Sequence, residues 1–197
     1  MKIVLASSNS GKLKEIQQIL SPLPFECVPQ TTLKIEDIPE TGLSFVENAI
    51  LKARHAAKAS QLPAIADDSG LCVEALQGQP GIYSARFAGE KATSEQNIEK
   101  LLELMKPYQG EARRARFFAT IVLIQHAADP IPIICQAAWE GILLTEPRGK
   151  GGFGYDPIFY IPELELTAAE LKPELKNQLS HRGKALSQLL HKLQFVY

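Results

Sequence analysis

Apolar positions along the chain switch between two periods, and the switches predict an alternation of strands and helices. Ile3 to Ala6 is a continuous apolar run stopped by the polar turn Ser7-Ser8-Asn9-Ser10-Gly11, after which Leu13, Ile16, Ile19 and Leu20 recur at helical spacing. Phe25 to Val28, bounded by Pro24 and Pro29, reads as a second strand, joined to the first through the helix as one βαβ-like unit. Phe45, Val46, Ala49, Ile50, Ala53 and Ala57 then form one stripe of a helix from Ser44 to Ser60, with Ser44 and Glu47 spaced as a capping box. Pro63 to Ala66 predicts a buried strand that ends in Asp67-Asp68-Ser69-Gly70. A second capping box, Thr93 with Gln96, opens a helix through Ile98, Leu101, Leu102 and Met105 that stops before Pro107. Phe117 to Gln125 and Ile131 to Leu144 are β-branched and aromatic-rich and predict an antiparallel pair, so the sheet is mixed. Gly149 to Pro157 is a glycine-rich loop, Thr167 opens a short helix, and Lys184 to Leu193 makes the last one.

The 197 residues match one domain without an internal repeat or a separating linker. A chain of this length buries roughly 70% of its unfolded surface, so its core needs no staples. Three cysteines, Cys27, Cys72 and Cys135, lie far apart and outside any C-x-x-C spacing, which excludes a disulfide framework and a zinc site and leaves them as apolar fillers. With a short apolar N-terminus and no membrane-length run, the expected compartment is the reducing cytoplasm. A formal net charge of −1 gives no broad positive field, so no nucleic-acid partner is expected. Arg113, Arg114 and Arg116 form a short basic run that reads as a solvated strand edge.

Five segments carry candidate chemistry. Ser7 to Lys12 places hydroxyls, a helix N-terminus and a lysine where a phosphate binds, although an ordinary N-cap with a surface lysine accounts for it equally well. It is no Walker A loop, because Leu13 stands where the metal-binding hydroxyl belongs. Asp67 and Asp68, adjacent at a strand end, call for a cation or a cleft, since two buried unpaired carboxylates cost several kcal/mol each. Magnesium suits them, and a solvent-facing Asx-turn is the competing reading. Glu36, Asp37 and Glu40 form a further acidic group before the helix at Ser44, where such residues ordinarily favour the helix dipole. Gly151 to Pro157 brings glycines around Phe153 and Tyr155, either of which can stack on a flat ligand. Ser180-His181-Arg182-Gly183 precedes the last helix and offers donors at its start.

Taken in order, these segments resemble the inosine triphosphate pyrophosphatase family, also called the XTP/dITP diphosphatases. The resemblance runs through Ser7 to Lys12, Glu40-Thr41-Gly42 with Phe45 to Ala49, Ala66 to Leu71, Pro80 to Arg86, Gly151 to Pro157 and Ser180 to Gly183. It implies an α/β fold, an elongated mixed β-sheet flanked by helices, with two lobes around a central substrate cleft. It also implies a homodimer that hydrolyses ITP, dITP and XTP to the monophosphate and pyrophosphate with Mg2+. By that resemblance Ser7, Ser8, Asn9, Ser10, Gly11 and Lys12 hold the triphosphate, and Asp68 is general base and metal ligand with Glu40 the second acidic contributor. Ser69, Phe153, Gly154, Tyr155, Asp156, Lys176, His181 and Arg182 fall where the family contacts substrate, with Lys52, Asn48 and Arg86 as supports. The family often has Thr-Gly-Asn where this chain has Ser7-Ser8-Asn9. Donors near His181 and Arg182 would select a 6-oxo purine over adenine, a kind of discrimination that reaches about 10⁴ in sites built on hydrogen bonds.

Overall fold

The computed structural model describes residues 2–22 and 24–193. Seven strands form one mixed sheet: β1 (Lys2–Ala6), β2 (Glu26–Pro29), β3 (Ala64–Val73), β4 (Arg114–Ile124), β5 (Ile133–Leu143), β6 (Phe159–Ile161) and β7 (Leu166–Thr167). Their order is β2-β1-β3-β4-β5-β6-β7, with β1 parallel to both β2 and β3, and β6 antiparallel to both β5 and β7. The helices are α1 (Ser10–Leu20), α2 (Phe45–Ser60), α3 (Ser94–Leu104), α4 (Pro173–Leu179) and α5 (His181–Leu193). None of them is long and apolar enough to cross a membrane.

The chain divides into two compact units that are discontinuous in sequence. One comprises the residues up to Asp68, Ala119–Ala137 and the segment from His181 onward; the other comprises Ser69–Phe118 and Ala138–Ser180. Strands β3, β4 and β5 each run from one unit into the other. In the first unit the parallel strands are covered on both faces, which is why they read as unbroken apolar runs instead of alternating ones. Ile3, Leu5, Ile65, Ala119, Ile121 and Leu123 pack with α1 and α5, while Val4, Ala6, Ala64, Ala66, Val122 and Ile124 pack with the alanine stripe of α2. Side chains two apart share a face of a strand. The second unit gathers Leu71, Val73, Leu101, Met105 and Leu143 around Phe117, Trp139 and Phe159, whose rings lie 4.6 and 5.3 Å from one another through Phe159.

Several boundaries differ from the sequence expectation. β3 does not end at Asp67 but runs ten residues, from Ala64 to Val73, so the two aspartates stand inside a strand and not in an Asx-turn. The last helix begins at His181, three residues before the expected start, and α4 was not anticipated. The basic run is not a solvated edge throughout: Arg114 and Arg116 are exposed, but Arg113 is 6% exposed and donates to the carbonyls of Met105, Tyr108, Leu143 and Leu144. Its planar fork of five N–H donors closes the end of α3 against the end of β5. Replacing it (Arg113→Met) removes donors from several buried carbonyls and is expected to cost about 2–4 kcal/mol in urea unfolding. Arg113→Lys, which cannot span the same acceptors, is expected to recover less than half of that loss.

Candidate active site

The turn between β1 and α1 is held by its own side chains. Asn9 caps the helix, its Oδ1 accepting from the Lys12 N–H at 3.0 Å, and Ser7 Oγ accepts from the Asn9 N–H at 3.2 Å. Ser10 and Gly11, in the first helical turn, therefore present N–H groups that have no acceptor within the helix. Ser8 turns elsewhere: its hydroxyl donates to Asp37 Oδ2 at 2.5 Å, and Asp37 Oδ1 accepts from Gln30 Nε2 at 2.5 Å.

The neighbouring aspartates project to opposite faces of β3, as the period of a strand requires. Asp67 shares the face of Ile65, toward α1 and α5, and Asp68 shares the face of Ala66, toward α2. Asp67, with a fully buried side chain, accepts from Lys12 Nζ at 2.7 Å and from Arg182 Nε at 2.8 Å. Arg182 is itself buried and pairs further with Glu15 on α1, one turn beyond Lys12. On the other face Asp68 Oδ1 accepts from Lys52 Nζ at 2.9 Å, and the same ammonium donates to Glu40 Oε1 at 2.7 Å. Asp68 Oδ2 is buried without a hydrogen-bond partner, one of only a few such atoms among the described residues.

Helix α2 builds the segment that carries Glu40. Asn48 Oδ1 accepts from the Gly42 N–H at 2.8 Å, and Lys52, one turn on along the same helix face, reaches Glu40. Residue 42 must be glycine, because a Cβ there would lie 2.6 Å from Glu47 Cβ and 2.8 Å from Asn48 Oδ1. Of the three acidic candidates, Glu40 thus shares a cation with Asp68. Asp37 is committed to Ser8 and Gln30, and Glu36 lies where its carbonyl meets His55 Nε2.

Burial and charge set the two aspartates apart. Burial alone would raise Asp67, but Arg182 and then Lys12 outweigh it and hold the carboxyl well below the usual range. For Asp68 burial prevails over the attraction of Lys52 and Lys12, with Glu40 adding to the rise, so its carboxyl lies above the usual value. Lys12 is lowered, first by burial and then by the nearby cations, against the pull of Asp67. Lys52, although burial disfavours its charge, is raised by Asp68 and Glu40. One aspartate is an ion-pair anchor and the other is the more basic carboxylate of the pair.

The second unit holds a constellation of its own. Asp156 Oδ2 accepts from Lys176 Nζ at 2.6 Å and from the Phe153 N–H at 2.8 Å, and the lysine ammonium stands 4.8 Å from the Phe153 ring centroid. Gly152 permits this fold of the loop, since its φ of 72° favours glycine and a Cβ would meet Asp156 Oδ2 at 2.0 Å. Gly154, also at positive φ, turns the chain between the two aromatics. Phe153 is half-buried, whereas Tyr155 is part of the core, with its hydroxyl donating to the Ser84 carbonyl at 2.9 Å.

Of the residues singled out in the sequence, Lys12 and Arg182 therefore meet on Asp67 at one face of β3, and Glu40 and Asp68 meet on Lys52 at the other. His181 is buried beside Arg182 in the first turn of α5, and Ser69 is half-buried in β3 directly after Asp68. Arg86 instead lies over the Tyr83 ring at 5.4 Å and 3.8 Å from Glu90. Glu15 and the anchoring role of Asp67 were not foreseen. The spacing of Glu15 three residues after Lys12 puts both on one side of α1, but its partner Arg182 is too distant in sequence to be inferred.

A family model described as the Ham1 family matches residues 3–192. The dITP/XTP pyrophosphatase of Escherichia coli (strain K12) is 54% identical over 192 residues, covering 98% of each chain. That of Xanthomonas campestris pv. campestris (strain 8004) is 55% identical over 191 residues, covering 97% of this chain and 96% of the relative. The solved structure of a HAM1 protein from Coxiella burnetii superposes with a TM-score of 0.91 at 52% identity, covering 98% of both chains.

Removing the central carboxylate leaves two buried cations undercompensated. Asp67→Asn is expected to lose about 3–5 kcal/mol of unfolding free energy at pH 7, measured by urea denaturation. Since the folded carboxyl titrates well below the unfolded one, this stability is fully present above the unfolded value and is lost as pH falls through the folded one. The gap between the native chain and the variant should accordingly narrow below about pH 4.

Proposed function

As the chain belongs to the Ham1 family, we propose that it is a nucleoside triphosphate pyrophosphatase that hydrolyses the non-standard purine nucleotides ITP, dITP and XTP to the monophosphate and pyrophosphate. The substrate class follows the relatives named dITP/XTP pyrophosphatase. The chemistry is carried by one observation, the buried and unpartnered Oδ2 of Asp68 beside the Lys52 and Glu40 pair.

In this reading the α1 turn grips phosphate. The first N–H groups of the helix, the Ser7 hydroxyl and the Lys12 ammonium supply donors and positive charge. Asp68, more basic than an ordinary carboxylate, orients or deprotonates the water that attacks the α-phosphorus, with pyrophosphate as leaving group. No covalent intermediate with the protein is needed. Lys52 keeps Glu40 and Asp68 together against their mutual repulsion and fixes which Asp68 oxygen stays open.

Magnesium fits these residues. No group of three or more His, Cys, Asp or Glu that could hold a metal occurs among the described residues, and an ion that takes one or two carboxylates and completes its shell with water and phosphate oxygens matches such a sparse site. Asp68 and Glu40 would hold it, and when bound it supplies neutralisation of the charge developing on the phosphates. In the second unit, taken by itself, the half-buried Phe153 ring stands beside Asp156 and Lys176; a role for it against a flat base draws on the family resemblance. Selection for a 6-oxo group by His181 and Arg182, a homodimeric assembly and a cytoplasmic location belong to the same proposal and draw on the family resemblance.

The test is the product released from ITP, XTP, dITP, ATP and GTP with and without magnesium. Pyrophosphate from the first three, dependent on the metal, is expected; orthophosphate as the primary product would overturn the reaction, and equal rates on ATP and ITP would overturn the selectivity. Asp68→Asn should lower kcat by at least about 10²–10⁴-fold while the chain still folds, and a fully active variant would remove Asp68 as the base.

A further inference from the structure

The phosphate turn contains a side chain that faces away from its task. A serine hydroxyl has one proton to give, and that of Ser8 is given to the Asp37 carboxylate, a charge-assisted bond. What Ser8 Oγ keeps is lone pairs, which a phosphate oxygen cannot use. Asp37 is equally committed, because its second oxygen accepts from Gln30 Nε2, and Gln30 is 4% exposed at the start of the 3-10 turn that follows β2. Since β1 and β2 are paired in parallel up to Leu5 and Pro29, the bridge Ser8–Asp37–Gln30 joins the segments leaving the ends of two adjacent strands.

We propose that Asp37 is a positioning residue for substrate phosphate: by accepting the Ser8 proton and the Gln30 amide it clasps the turn in one shape and withdraws Ser8 from the donors that contact phosphate. The phosphate-contacting set is then Ser7, the backbone of the first helical turn and Lys12. This assignment rests on the reading of the turn as the phosphate site. The alternatives differ in sign. An exposed carboxylate beside a polyanion repels it, so if Asp37 acted by charge alone its removal would tighten substrate binding. If Ser8 instead donated to phosphate, losing the hydroxyl would weaken binding, whereas losing Asp37 would release that hydroxyl and strengthen it.

The experiment is steady-state kinetics on dITP with Ser8→Ala, Asp37→Ala and the double variant of the full chain, accompanied by thermal melts. With a clasp, Ser8→Ala raises KM about three- to tenfold, the value of one hydrogen bond, Asp37→Ala raises it at least as much because it also frees the Gln30 amide, and the double change raises it no further than Asp37→Ala. The effect falls on KM and leaves kcat within about twofold, since the groups that contact the reacting atoms are untouched. A lower KM for Asp37→Ala, additive rises in the double variant, an unchanged KM for both singles, or a KM rise matched by a fall in melting temperature would each overturn the clasp. Lys12→Ala, assayed alongside, separates the two levels of the proposal. If it leaves KM unchanged, the turn is not the phosphate site; if it raises KM while Ser8→Ala does not, only the clasp fails.

Discussion

Two carboxylates that follow one another in a strand covered on both sides cannot both be accommodated unless each finds its own cation. Asp67 and Asp68 meet that constraint by pointing in opposite directions, Asp67 to Lys12 and Arg182 and Asp68 to Lys52. The helices on the two faces therefore have more to do than shield apolar strands. α1 and α5 bring the cations for one aspartate and α2 brings the cation for the other, so docking each helix also completes an ion pair that the strand cannot leave open.

That arrangement divides the labour between neighbours. Asp67 has both oxygens occupied by strongly bound donors and holds the start of α1 to the start of α5. Asp68 has one oxygen restrained by Lys52 and one buried without a hydrogen-bond partner. An unsatisfied buried acceptor is costly in a merely structural strand. Its presence beside a loop that α2 holds with Asn48 and Lys52 is the observation on which the proposed site rests.

Local chemistry was legible in the sequence wherever it was self-contained. The start of α2 at Ser44 and the full capping box of Thr93 and Gln96 depend on residues three positions apart, and each is found where the pattern places it. The misplacements have a common cause. β3 passes through Asp67 and Asp68 because cations from three helices neutralise them, and a pattern that sees only the chain's own neighbours reads the same residues as a polar turn. His181 and Arg182 are poor candidates for a buried helix start until Asp67, more than a hundred residues away in sequence, is known to receive the guanidinium. Arg113 likewise looks solvated beside Arg114 and Arg116, because nothing in its vicinity announces the four carbonyls that surround it. Tyr155 shows the converse: the glycines read as a ligand loop, but the Tyr155 ring is buried in the core with its hydroxyl on the Ser84 carbonyl.

The ion pairs on the two faces of β3 set Lys12, Lys52 and Arg182 against Glu15, Asp67, Glu40 and Asp68, three positive groups against four negative ones. These groups by themselves carry no surplus of positive charge. On the proposed reading, a polyanion arriving there would have to bring counter-ions of its own. Uptake of the nucleotide and uptake of cations from solution would then be a single thermodynamic event.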